Sequence, residues 1–466
     1  MHVYFLFILL LLWSTAIFGQ GTSTSAQTVP LPASWEDDEK FWSRFWLSVQ
    51  GNFIRQQNPA FPAKYSGTNS FRSSSDHATS LVETLYTGFR ITKHLEFLFD
   101  VESAGGAGLS DALGIAGFTN VDVVRNPALG AAPYVSRAML HYTLPLSMRT
   151  TQAVRNPLSL ASTVPERRLE FRLGRMSTVD FFDLNSVGSD SHLQFMNWAI
   201  VNNGAYDYAA DTRGYTYGFL VELYNGRWVA RFGEMLMPTV ANGITLDWNL
   251  KRAGGQNFEL EYHPELIPKR ETVVRALVYA NRAAMGSYRE AIRGYLSGAD
   301  RTPDITLYRQ QGRVKYGFGY NMEQELTDNW RAFGRLGWND GRNESFAYTE
   351  IDRMFEFGSD YGGRRWHRSG DKVGAAYVVN GISGDHRRYL ALGGLGFLLG
   401  DGALTYGTER ILETYYTAHL WRGISLAFDY QHVTNPGYNQ ARGPINVFSI
   451  RLHAEDAVPF DKLGSK

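Results

Sequence analysis

Residues 192–217 read HLQFMNWAIVNNGAYDYAADTRGYTY and gather the side chains best suited to handling a neutral polyol. Trp198, Tyr206 and Tyr208 offer flat apolar faces. Asn197, Asn202 and Asn203 both donate and accept, Asp207 and Asp211 accept, and Arg213 is a forked donor. A sugar has CH faces and hydroxyl edges, so it wants this mixture. Other chemistries find less support. Glycoside hydrolysis needs two carboxyl groups about 5–9 Å apart across the bond, and no Asp or Glu pair stands out by its spacing. The histidines form no HExxH or other metal pattern. The glycines of 393–400 lack dinucleotide-loop spacing and a βαβ setting. No GxSxG elbow occurs. With 0 Cys, thiolate ligands, a cysteine nucleophile and disulfides are excluded. The chain reads as a non-enzyme with no cofactor and no metal.

Such residues need elements to hold them, and the dominant period along the chain is two. In RRLEFRLGR, Leu169, Phe171 and Leu173 alternate with Arg168, Glu170 and Arg172. Phe97, Phe99 and Val101 alternate with Glu96, Asp100 and Glu102. Val314, Tyr316, Phe318 and Tyr320 alternate with Arg313, Lys315, Gly317 and Gly319. Roughly 16 such strands can be drawn, most about ten residues long. Tight separators such as Asn225-Gly226 and Asn435-Pro436-Gly437 alternate with long connections at 104–132, 176–211, 238–256, 282–308 and 382–404. Short turns at one end and long loops at the other are how outer-membrane barrels are built. A soluble sandwich also alternates. The strand count, aromatic residues near strand ends and the mixed-sign polar rows favour the barrel. The fold expectation is therefore all-β: a transmembrane antiparallel β-barrel of 16 strands, with 192–217 folded inward as a constriction loop. Parity turns Glu170, Arg172 and Arg331 to the lumen, where they join Trp198, Asn202, Asn203, Tyr206, Asp207, Asp211 and Arg213 as candidate lining of a solute path.

Composition supports this division. Lys+Arg and Asp+Glu both number 46, so charge gives no case for nucleic acid. The 26 Tyr, 28 Phe and 47 Gly suit strands and turns. Residues 1–26 read as a signal peptide whose apolar run is too short to span a bilayer, with cleavage near 19 or 26. A linker and short helix follow at 27–46, the helix either tucking into the barrel mouth or leading into the first strand. The barrel spans 47–456, and 457–466 is a tail. Outer-membrane lipid is the expected surrounding; oligomeric state is left open.

Two stretches resemble the carbohydrate-selective porin family. One is NWAIVNNGAYDYAADTRGYTYG at 197–218. The other, at 381–444, carries an LGDG turn, a tyrosine-rich strand and a DYQ…NPGYN…RGP segment. RLEFRLGRMS is similar to the family's strand before its pore loop. The resemblance implies a 16-stranded outer-membrane barrel that passes glucose and related small sugars by diffusion, through an eyelet of charged residues. A general porin is the alternative, and an outer-membrane hydrolase a more distant one. The last strand is followed by AVPFDKLGSK, so Phe460 does not end the chain as outer-membrane strands commonly do.

Overall fold

The computed structural model describes residues 41–123, 129–458 and 460. The expected signal peptide, the linker, the helix up to residue 40 and the end of the tail lie outside the described residues. Phe41–Arg44 form one 3₁₀ turn that runs directly into the first strand.

The strands face as their alternation requires. In lipid the apolar row must point outward, the reverse of a soluble protein. Leu173 is 62% exposed, while Glu170 and Arg172, three residues and one residue before it on the opposite face of the pleat, are at 4% and 6%. Phe318 and Phe428 are likewise exposed and Lys315 and Asp429 buried. Strand β1 is Phe45–Asn58, β2 Asp76–Thr92, β3 Leu95–Gly106 and β4 Tyr134–Pro145. Two short strands, β5 (Thr150–Gln152) and β6 (Thr163–Pro165), form a separate hairpin. The wall resumes with β7 (Arg167–Met176), β8 (Thr216–Asn225), β9 (Trp228–Met235), β10 (Gly254–Tyr262) and β11 (Thr272–Met285). It continues through β12 (Gln310–Thr327), β13 (Trp330–Asn339), β14 (Arg353–Gly362) and β15 (Lys372–Gly381). The last three are β16 (Glu409–Trp421), β17 (Ile424–Thr434) and β18 (Ile445–Ala457).

Sixteen of these form a closed ring, each antiparallel to its neighbours, and β18 pairs with β1 to seal it. Closure leaves no open edge, which lipid would not tolerate. At the seam, Trp42 stacks on Phe460 at 6.4 Å, so the two ends of the described chain meet at the same rim. That rim carries the tight turns, such as Asn225-Gly226 with Gly226 at φ 65°, and is the periplasmic one by the usual polarity of such barrels.

The largest apolar cluster lies inside the ring. It joins Phe118, Phe182, Phe195, Trp198 and Tyr206 from the connections between strands to Phe333 and Met354 of the wall. The lumen is partly filled by loops folded into it, and those loops bring their own core. Residues 107–123 and 177–215 are the main contributors. A smaller intrusion comes from the opposite rim. The β5–β6 hairpin turns back so that Leu160 is fully buried, its N–H donating to Glu96 at 3.0 Å. Arg155 of the same hairpin donates to the Phe45 carbonyl at 2.9 Å.

Candidate functional site: the constriction

A loop inside a barrel leaves backbone N–H groups away from water, and each needs an acceptor. Strand carboxylates supply them. Glu413 on β16 accepts from Met196 at 2.5 Å and Asn197 at 3.2 Å. Glu259 on β10 accepts from Asp183 at 2.8 Å, and Glu323 on β12 from Ser186 at 2.7 Å. Glu409 on β16 accepts from Ala116 at 3.1 Å and Gly117 at 3.3 Å, fixing the second inward loop. These buried acids are therefore committed as loop anchors.

Three of the loop residues with sugar-handling chemistry serve the same end. Asp207 accepts from the backbones of Phe346 and Ala347 at 2.8 Å each and lies 3.2 Å from the Lys315 ammonium. Asn203, fully buried, bonds the Leu336 carbonyl at 3.2 Å and caps Ala205 at 3.0 Å. The Tyr206 hydroxyl donates to Asn257 at 2.7 Å. Trp198 begins a single helical turn, Trp198–Val201, capped by the Asn197 side chain. Its indole N–H donates to the Asn120 carbonyl at 2.7 Å, and its ring stacks on Tyr348 at 5.4 Å with Phe118 edge-on at 6.2 Å. That indole is the joint between the two inward loops.

Between these loops and the wall formed by β1–β4 lies a cavity of about 320 Å³. Trp198, Asn202, Asp211 and Arg213 line it, as do Tyr86, Glu102, Tyr134, Arg137, Asp180 and Tyr215. The Arg213 guanidinium lies 3.8 Å over the ring of Tyr134, and its Nη1 has no hydrogen-bond partner among the described residues. The Tyr134 and Tyr215 hydroxyls both donate to Glu102, the latter at 2.7 Å. Arg137 grips Asp180 through two bonds of 2.7 Å. Asp211 accepts from Arg175 at 2.7 Å and turns the backbone so that Arg213 projects. On the far side, His192 sits 3.7 Å from Asp122. Burial opposes its charge, yet Asp122 holds the imidazole above its ordinary pKa.

Glu170 and Arg172 lie elsewhere, in a continuous network along β7–β12. Arg172 bonds Glu170 at 2.9 Å and also Glu222. Glu222 takes Arg231 at 2.9 Å, Arg231 takes Glu261 at 2.9 Å, and Arg275 joins Glu261 to Glu323 at 2.7 Å each. His141 bridges Glu96 and Glu170 at 3.0 Å on either side. Arg331 pairs with Asp360 on β14 and reaches Ser186 at 3.3 Å, bracing the loop. The structure thus gathers Trp198, Asn202, Asp211 and Arg213 at the cavity and sets the other candidates behind it or along the wall. The residues missed, Tyr86, Glu102, Tyr134 and Arg137, sit on the inward rows of β2–β4. The parity of Tyr86 and Glu102 was readable, whereas Tyr134 and Arg137, three residues apart, share a face only through the register shift between β3 and β4. The height of all four relative to the loop was not readable.

The sequence profile of the carbohydrate-selective porin, OprB, family matches residues 68–455. Among solved structures, the high-pH structure of OprB from Pseudomonas putida aligns with TM-score 0.68 at 13% identity, over 89% of this chain and 94% of that one. Its low-pH structure gives TM-score 0.48 at 10% identity, over 89% and 93%. Pseudomonas aeruginosa OccK2 gives 0.44 at 8%, over 90% and 100%. No curated protein sequence matches the chain.

Proposed function

We propose a sugar path for this chain, which belongs to the carbohydrate-selective porin family and is an outer-membrane carbohydrate channel of a Gram-negative-type envelope. The path runs through the cavity between the wall of β1–β4 and the two inward loops. Its solutes are glucose-like monosaccharides and small oligosaccharides. Arg213 and the Tyr134 ring form the recognition pair, with Glu102, Asn202 and the Tyr215 edge completing the contacts.

One observation carries this reading: Arg213 is stacked on Tyr134 at 3.8 Å, and both residues line the cavity. A sugar hydroxyl can meet the guanidinium at the cavity lining while its CH face meets one of the aromatic rings there. The surrounding charges are already paired, Arg137 with Asp180 and Arg175 with Asp211. A path with its ions neutralised in place suits a neutral solute better than an anion or cation. Weak binding is enough, since a channel must release what it admits.

Purified protein in planar bilayers tests this. Ohmic channels should lose conductance as glucose is added, and Arg213→Ala should weaken that block. Equal flux of sugars and amino acids of the same size, with no block, would establish a general porin. Sugar release from an oligosaccharide by purified protein would establish a hydrolase. Residues 1–26 are proposed to be removed on export, with the mature chain starting after residue 19 or 26; N-terminal sequencing of protein from outer membranes decides between them.

A further inference from the structure

The outer wall at the extracellular ends of β14–β16 has a surface that sugar passage does not use. Arg353 opens β14 on the lipid-facing row, with Phe355 and Phe357 below it at 56% and 53% exposure. It pairs in register with Trp338 on one side and Gly381 on the other. Tyr406 lies against Gly381, its hydroxyl 3.4 Å from where a β-carbon on that glycine would sit. The Arg387 guanidinium covers the Tyr406 ring at 4.9 Å. Arg410, in register with Val379 two residues below Gly381, stands above Leu412 on the same outward row. Arg353, Arg387 and Arg410 are all exposed. Among the described residues, none of the three forms an ion pair with a carboxylate.

Neighbouring strands are about 4.8 Å apart, so three long guanidinium side chains converge on one patch. Cations at the height of Trp338 and Tyr406, directly above an exposed apolar face, mark a membrane interface. Arginine's fork matches phosphate oxygens in a bidentate way. A protein partner would have to cover the phenylalanines with its own surface, whereas acyl chains cover them as a matter of course. We propose that this patch binds the phosphorylated headgroup of an anionic glycolipid in the outer leaflet. The three arginines take the phosphate, and Phe355, Phe357, Leu412 and Phe428 take the chains. This rests on the barrel spanning the outer membrane, and it is independent of which solute the lumen admits.

The test compares wild type with the triple variant Arg353→Gln, Arg387→Gln, Arg410→Gln. Both are reconstituted in nanodiscs holding a trace of bisphosphorylated lipid A in neutral phospholipid. The lipid retained per barrel is counted by native mass spectrometry after release. The same is done with dephosphorylated lipid A. Heat-modifiable gel migration reports folding, and liposome swelling with glucose reports the channel. Juxtamembrane cations each add a modest attraction, so wild type should retain the phosphorylated lipid about tenfold better than the triple variant. It should retain the dephosphorylated lipid no better than the variant does. Sugar flux should be equal in both proteins. Equal retention by folded wild type and folded variant overturns the proposal, as does equal retention of the two lipids by wild type. Should the triple variant fail to fold, Arg353→Gln and Arg410→Gln singly carry the same comparison. Loss of sugar flux in wild type would count against the transport reading and leave the lipid result standing.

Discussion

Arg213, carried by the inward loop, lies flat over Tyr134 on β4, with 3.8 Å between guanidinium carbon and ring centre. The pair joins the inward loop to the barrel wall. Asp211 sets the loop turn, bonding the Arg213 N–H at 2.9 Å, and the strand sets the ring. The guanidinium is therefore held at the cavity lining by backbone geometry.

Removing that guanidinium should change selectivity more than stability. A hydrogen bond to a charged donor is worth about 1.5–3 kcal/mol. Arg213→Ala is expected to raise the glucose concentration for half-block at least about tenfold, with gel migration unchanged. Arg213→Lys should recover part of the block. Titration of single-channel current with glucose measures both.

Glu413→Ala should loosen the constriction. It strips the acceptor from Met196 and Asn197, leaving two buried N–H groups at a cost of about 1–3 kcal/mol each. The barrel itself is closed by strand pairing and should stay intact. Higher conductance and weaker discrimination between mono- and disaccharides in liposome swelling are the expected signs; unchanged values would show that the anchor is dispensable.

Trp198→Ala is expected to widen the channel for another reason. The substitution removes the shared joint between the two loops, and large aromatic truncations cost about 3–5 kcal/mol. Trp198→Phe keeps the stack on Tyr348 and loses only the bond to Asn120, so it should fall between. A sugar-contact role alone would instead weaken block at constant conductance.

The extracellular side should respond to alkali. His386 lies on the helix Gly384–Ala391, fully buried, 3.2 Å from Asp352 and 3.6 Å from Glu350, with Tyr288 stacked on it at 4.3 Å. Burial opposes its charge, but Asp352 and then Glu350 outweigh this and raise the imidazole to about 9. The folded pKa is above the unfolded one. The stabilisation is therefore complete below about 6.5 and is lost as pH climbs through about 9. Amide exchange across residues 382–399 should speed up between pH 7 and 10 beyond the intrinsic base effect, and His386→Gln should abolish that excess. Residues packed elsewhere, such as β17, should show none.

The barrel was legible because lipid imposes a rule on sequence. Leu169, Phe171 and Leu173 against Arg168, Glu170 and Arg172 give strand, faces and membrane at once. The inward loop was legible as a long connection too aromatic for disorder. Its residue roles were not. Asn203, Tyr206 and Asp207 have the chemistry of sugar contacts, but loops folded into a lumen need the same groups to satisfy their own backbone. Which demand wins depends on depth, which a sequence does not encode. Phe333 shows the converse: an apolar residue on an inward row, buried because Phe195 of the loop packs on it at 6.1 Å. The hairpin of β5 and β6 was missed because its strands have three residues each, too short for any period.

The seam between β1 and β18 has a consequence for biogenesis. Ring closure joins the first strand made to the last, as Phe53 pairs with Leu452. Contacts between distant parts of a chain form late, because the loop they close must be ordered first. A nascent or truncated chain would carry two bare edges that a bilayer core cannot accommodate. Permeability therefore arrives all at once: only a finished polypeptide becomes a hole, and the cell is spared half-built leaks.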